Sequence, residues 1–458
     1  MILQNDWSIE LIEGLTVLVT GRYLNNNHTS GQLDYSKDST QSALWGAHHT
    51  TERIEAHAKV GYVFPTEAEK SIGSQFSYIQ HDIVGRYGFR DYLGKQETYR
   101  GHLLYSAASV NGKHKAVSGA TLVNDMYYEQ LTADTTGPLL LNSFVLKRGE
   151  RVVGAFSEYT FTPNEKLIVV AGARVDHHNL YGIFYTPRLH LRWNVTDRAA
   201  IKWVSGSGRR VANPIMDNVG LLGGNRNLWL AGDMSNGPNG LKMEEAWNNG
   251  LIWVQKGKMF HREQTLTIDA YHTRFVNQAV VDYETPGNVF VYNLQGKSYS
   301  NSVQVEWHFT PARRLDVRTA YRWLEARTQY GEVLKDRPLT NRHRAFVNMA
   351  YETKANERGR QFRFDCTVQW IGKKRRPAIR VDEAERYTPE FFQWMAQATY
   401  VIKKNLEIYL GGENLSNYKI QDAIIDYTNV VSSTMDASQT WGPVFGAMGY
   451  FGLRFIVE

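Results

Sequence analysis

Between Phe362 and Trp370 the side chains alternate strictly: Phe362, Phe364, Cys366, Val368 and Trp370 are apolar, whereas Arg363, Asp365, Thr367 and Gln369 are polar. Successive residues of a β-strand point to opposite faces, so such a segment has one oily and one wet face. The split recurs along the chain. Val303, Val305, Trp307 and Phe309 alternate with Gln304, Glu306 and His308, and Leu189, Leu191 and Trp193 with Arg188, His190 and Arg192. Leu315, Val317, Tyr321 and Trp323 stand against Asp316, Arg318 and Arg322, and Leu167, Val169, Ala171, Ala173 and Val175 against Arg174, Asp176 and His178.

A soluble sandwich also alternates, because its apolar face packs on a second sheet. The connections separate the two cases. Strand-like segments run over 11–24, 46–62, 71–82, 95–110, 114–128, 150–162, 165–179, 184–194 and 198–208. They continue over 242–256, 260–275, 296–309, 313–327, 341–353, 360–371, 391–401, 404–413 and 445–457. That makes about 18 strands, many long enough to cross a bilayer at a tilt. Tight turns at Asn111-Gly112-Lys113, Thr162-Pro163-Asn164-Glu165, Asn194-Val195-Thr196-Asp197, Thr310-Pro311-Ala312 and Ile402-Lys403-Lys404 alternate with long connections. The long ones lie near 23–45, 129–149, 209–241, 276–295, 328–340, 372–390 and 414–444, with a short 178–182 link as the exception. Short periplasmic turns and long external loops mark an outer-membrane barrel. A propeller would show a blade repeat, and none is visible.

The expected fold is therefore all-β, an antiparallel transmembrane β-barrel. No stretch reaches the roughly 18 consecutive apolar residues that a membrane helix needs. The 26 Tyr and 12 Trp suit strands and membrane interfaces. Lipid must cover the apolar face, because a charge there costs roughly 2–4 kcal/mol near the midplane, so the charged face lines a lumen. In the last segment Phe451, Leu453, Phe455 and Val457 should face lipid, with Tyr450, Gly452 and Arg454 inward. With an even strand count, the first strand starts and the last ends on the periplasmic side. The net charge of +6 comes from scattered basic residues among nearly as many acids, and no nucleic-acid-binding motif is present, so no nucleic-acid partner is expected. The single cysteine, Cys366, excludes an intramolecular disulfide framework.

Four segments resemble the barrel of TonB-dependent receptors, in particular the siderophore-receptor type. Gly208-Arg209-Arg210-Val211-Ala212-Asn213-Pro214-Ile215 is similar to a segment at the outer end of a mid-barrel strand. Leu241-Lys242-Met243-Glu244-Glu245-Ala246-Trp247-Asn248-Asn249-Gly250 resembles the "LKPE…WNYG" signature, with Met243 in place of proline. Tyr409-Leu410-Gly411-Gly412-Glu413-Asn414-Leu415-Ser416-Asn417-Tyr418 resembles the "GxENLxxY" motif of the penultimate strand, and Trp441-Gly442-Pro443 followed by Tyr450 to Phe455 the closing strand. The family barrel has 22 strands. The resemblance thus implies that residues 1–458 are the C-terminal part of such a barrel, with signal peptide, plug domain and first strands missing. Met1 to Glu10 indeed carry no basic segment followed by an apolar core.

The resemblance further implies a bacterial outer-membrane location, lipid and the TonB energy-transducing complex as partners, the latter through the missing N-terminal part, and uptake of a scarce, bulky solute such as a siderophore, haem or cobalamin. A passive porin-type channel and a non-transporting barrel remnant are the alternatives. No paired carboxylates, Ser/His/Asp set or phosphate loop stands out, so an enzyme is not expected. Candidate substrate-binding residues are Arg209 and Arg210, whose guanidiniums suit a carboxylate or phosphate, and the pair His177-His178. His48-His49 and His177-His178 lack a regular third and fourth ligand, so no metal site and no cofactor are expected. Trp247, Glu413 and Asn414 read as structural.

Overall fold

A computed structural model of the chain describes residues 1–36, 44–65, 69–134, 139, 141–233, 237–377, 386–421 and 423–456. Its wall begins with β1 (Ile2–Ile12), β2 (Leu15–Gly31), β3 (Gly46–Val63), β4 (Lys70–Tyr87), β5 (Arg90–Ala108) and β6 (His114–Ala133). It continues through β7 (Phe144–Asn164), β8 (Leu167–His178), β9 (Gly182–Thr196), β10 (Ala199–Arg210), β11 (Glu244–Met259), β12 (Arg262–Asn277) and β13 (Ser298–Ala312). The remaining strands are β14 (Leu315–Tyr330), β15 (His343–Glu352), β16 (Gln361–Ile371), β17 (Phe391–Lys403), β18 (Leu406–Glu413) and β19 (Met448–Phe455). Each pairs antiparallel with its sequence neighbour, and the short Val333–Asp336 strand folds back on β14 to complete one twenty-stranded sheet. The Val457 expected to face lipid and the terminal Glu458 lie outside the described residues.

The strand segments read from the sequence correspond one for one to β2 through β19. β1 is additional. A turn at Glu13-Gly14 splits the expected first strand from it. Gly14 has φ +80°, and a Cβ there would sit 2.3 Å from the Val63 carbonyl oxygen, so only glycine fits. The extra strand corrects the expected parity: β19 ends at the short-turn, periplasmic end, but β1 starts at the loop end, where the Met1 ammonium donates to the Asn25 carbonyl. Among the described residues β1 and β19 do not pair with each other, so the sheet is curled but open, with β1 and β19 as its edges.

A second correction concerns the polarity of the wall. The strands reach 21 residues, about twice the 9–11 that cross a tilted bilayer. In the membrane-level part of β6, Leu122 is 56% exposed on the outer face while Thr121 and Asp125 are buried on the inner one. Towards the loop end the character inverts. Leu131, 1% exposed, faces inward, and Gln130 donates to Thr132 on the outside at 3.2 Å. On β4, Tyr78, Gln80 and Asp82 form a similar outer polar ladder while Ile83 packs inward. The strands project beyond the lipid, where water wets the outside and the inside holds a core. Residues 83–94, unassigned from the sequence because their alternation inverts, pair as strand on both sides of a two-residue turn at Gly88-Phe89, with Gly88 at φ +55°.

Leu122→Arg, at the lipid face, should lower unfolding free energy by roughly 2–4 kcal/mol in urea titrations of vesicle-inserted protein, with Leu122→Met nearly neutral.

Candidate functional site

The apolar inner surface of the projecting strands is filled by the external connections. Trp45, Ala47, Tyr87, Tyr92 and Leu131 of the β2–β6 region meet Ile215, Leu222 and Leu228 of the 209–241 connection, Val289 of 276–295, and Val430 and Met435 of 414–444. Each buried Leu, Ile, Val or Met among them contributes roughly 1.5–3 kcal/mol by leaving water. Two connections also share a sheet: Asn227–Leu230 runs parallel to Asn288–Asn293, which pairs antiparallel with Ala279–Asp282. Alternation of Val289 and Val291 with Phe290 and Tyr292 was the available signal for this sheet.

Buried polar contacts lock the connections to each other. Arg226 and Asp436, 5% and 1% exposed, pair at 2.9 Å. Arg226 also donates to the Tyr283 carbonyl at 2.9 Å, and Arg90 of β5 donates to the carbonyls of Gly224 and Arg226. Asn225 donates to the carbonyls of Val430 and Ser432. Further round the rim Glu284 accepts two bonds from Arg375 and one from Lys335 at 2.9 Å. Burial opposes ionisation of Glu284, but the Arg375 and Lys335 contacts outweigh it and hold the carboxyl below the usual glutamate range.

Beside this lock lies a cavity of about 970 Å³, bounded among the described residues by Arg327, Lys335, Arg342, Lys373 and Arg375 and by the acids Asp336 and Glu390. Asp336 is shared by Arg327 at 3.0 Å and Arg342 at 2.7 Å. Trp370 and Tyr387 add apolar wall. A large recess with excess cationic donors suits a bulky anion. Of these residues the sequence marks only the basic run Lys373 to Arg376, which reads there as a solvated loop; the fold corrects this, since Arg375 is buried against Glu284, and the other lining residues come from the 328–342 segment and neighbouring strand ends.

The candidates chosen from the sequence lie elsewhere. Arg209 pairs with Glu245 at 2.8 Å and lies over the Phe184 ring, while Arg210 is held by Glu244 at 2.6 Å and Asp217 at 2.8 Å. Glu245 and Glu244 are the direct cross-strand partners of Arg209 and Arg210, so two of the motif segments are brought together by register. His178 is 2% exposed, lies 3.3 Å from Glu150 and accepts from the Leu180 amide. His177 is on the opposite, exposed face, so the pair does not converge. His48 contacts Tyr35, and His49 stacks on Tyr87. Among the described residues no three His, Cys, Asp or Glu side chains converge as metal ligands. Asn414, at φ +49°, donates to the Tyr418 and Phe445 carbonyls, and Trp247 faces outward.

A large antiparallel wall with short turns at one end and an interlocked loop cap at the other defines a bacterial outer-membrane barrel. The family described as TonB dependent receptor-like, beta-barrel, matches residues 5–415, and the chain belongs to it. No curated protein sequence matches the chain. Solved structures that superpose on it include the ferric citrate transporter FecA in its unliganded form, at 14% identity and TM-score 0.71 over 99% of this chain and 69% of that one. The ferripyoverdine receptor of Pseudomonas aeruginosa superposes at 13% identity and TM-score 0.67, over 99% and 64%. The alcaligin outer membrane receptor FauA from Bordetella pertussis does so at 14% and 0.61, over 90% and 65%. At such identities the likeness is one of fold, and the chain spans about two thirds of the length of the last two structures.

Asp436→Ala, which strands the buried Arg226, should cost the loop cap roughly 3–5 kcal/mol. Hydrogen exchange should show faster amide exchange in 215–230 and 425–437 with the wall unchanged. Glu284 has a depressed carboxyl pKa, so its contribution is present above the unfolded-state value and lost as pH falls through the depressed one. Protease cleavage within 276–295 should therefore stay slow at neutral pH and accelerate only once the pH falls below the usual glutamate range.

Proposed function

We propose that the chain is the wall of a receptor that imports a scarce, bulky solute across the outer membrane, and that the solute is anionic where it meets the protein. The siderophore, haem and cobalamin classes meet that description of size. The 970 Å³ cation-rich cavity at the outer mouth carries the proposal. Its guanidiniums would hold oxyanion groups by charge-assisted hydrogen bonds while Trp370 and Tyr387 cover apolar parts. Uptake would draw energy from the TonB complex through an N-terminal portion outside these 458 residues. The barrel wall would have no catalytic role.

A passive porin is the weaker alternative, because the 209–241, 276–295 and 414–444 connections fold into the mouth and share a core there. The intact protein, expressed in cells lacking their own receptors, should accumulate radiolabelled ferric citrate or another anionic ferric complex only when TonB is present. Arg342→Ala combined with Lys373→Ala should weaken capture about tenfold or more, as loss of one to two charge-assisted contacts implies. TonB-independent accumulation, or none from a panel of anionic ferric complexes, contradicts the proposal.

A further inference from the structure

On the lumen wall, one residue inward of His343, β14 and β15 place Arg322 directly opposite Arg344. Like charges in register repel, so a strand pair normally avoids this arrangement or neutralises it. Neighbouring arginines of β14 are neutralised: Arg318 pairs with Glu306 at 2.7 Å and Arg327 with Asp336 at 3.0 Å. Arg322 and Arg344 have no carboxylate within ion-pair distance among the described residues, and Arg344 donates to the Gln369 side-chain oxygen at 2.7 Å. Of the acids on the neighbouring strands, Glu306 is engaged by Arg318, and Asp269 lies on the same rung but two strands away, beyond Gln304.

The two guanidiniums border a recess of about 440 Å³ whose other polar walls include Gln304, Asn348, Thr367 and Gln369. The positive field extends to the rim: burial and then Arg344 hold the Lys374 ammonium below the usual lysine range. Paired guanidiniums with neutral amides around them match the charge and the planar acceptor geometry of a carboxylate or phosphate.

We propose that Arg322 and Arg344 form an oxyanion seat on the lumen wall, distinct from the cavity at the mouth, which takes one carboxylate or phosphate group. The seat does not depend on the transport proposal; it stands on the register and the recess. Two sources can supply that chemistry, a dissolved anion in the lumen or a carboxylate on a polypeptide segment occupying it.

The full chain, folded into detergent micelles at low ionic strength, is titrated calorimetrically with inorganic phosphate, and separately with the blocked tripeptide Gly-Asp-Gly and its Gly-Asn-Gly control. Saturable phosphate binding identifies a dissolved ion. Binding of the Asp peptide without phosphate binding identifies a polypeptide carboxylate. In either case R322Q/R344Q should weaken binding about tenfold or more. Should that variant fail to fold, Arg344→Glu, which gives Arg322 an internal partner, should fold and abolish binding. Binding of neither probe, or binding that these substitutions leave unchanged, overturns the seat.

Discussion

Inside hydrocarbon every unpaired peptide group costs several kcal/mol, and the rest of this structure follows from avoiding that cost. Antiparallel pairing of each strand with its neighbour satisfies the backbone from β1 to β19. With the backbone paired, the side chains are left to divide between two solvents, and period two makes the division. Leu122 goes to lipid while Thr121 and Asp125 go to the lumen. The same constraint is unmet at β1 and β19, whose outer edges are unpaired among the described residues. In a bilayer those edges must join each other or further strands.

Above the lipid the constraint reverses, and the candidate site lies there. Water outside allows Gln80, Asp82 and Gln130 on the outer face, so the inner face can turn apolar and hold a core. Leu131 and Tyr87 can bury themselves only if connections fold inward, which Leu222, Val289 and Met435 do. The Arg226–Asp436 pair then fixes how the connections lie, since a buried charge without its partner is costly. The cation-rich cavity is what remains beside the locked segments, so its shape depends on their packing as much as on its own arginines.

Within the membrane the alternation of Phe362 to Trp370 was enough to place β16 and its faces, because lipid and lumen impose one rule over a whole strand. β1 is hard to separate from β2 in the sequence: Leu3, Trp7, Ile9 and Leu11 alternate with Gln4, Asp6, Ser8 and Glu10, but the Glu13-Gly14 turn has no proline or asparagine to mark it. The 83–94 segment gives no consistent strand pattern because its alternation changes sign above the lipid. Arg209 and Arg210 drew attention as a pair of neighbouring cations, yet a strand sends neighbours to opposite faces, and each finds a glutamate across the ladder. The cavity residues Arg327, Arg342 and Arg375 are distant in sequence, and only the folding of separate connections brings them together.

Nitroxide labels on β6, introduced one at a time into a Cys366→Ala background and read by collision with oxygen and with a water-soluble nickel chelate, test the change of solvent along a single strand. In vesicle-inserted protein a label at Leu122 should be reached by oxygen, one at Gln130 by the chelate, and one at Leu131 by neither. Oxygen access at Leu131 as high as at Leu122 would contradict the loop-filled mouth and, with it, the site built there.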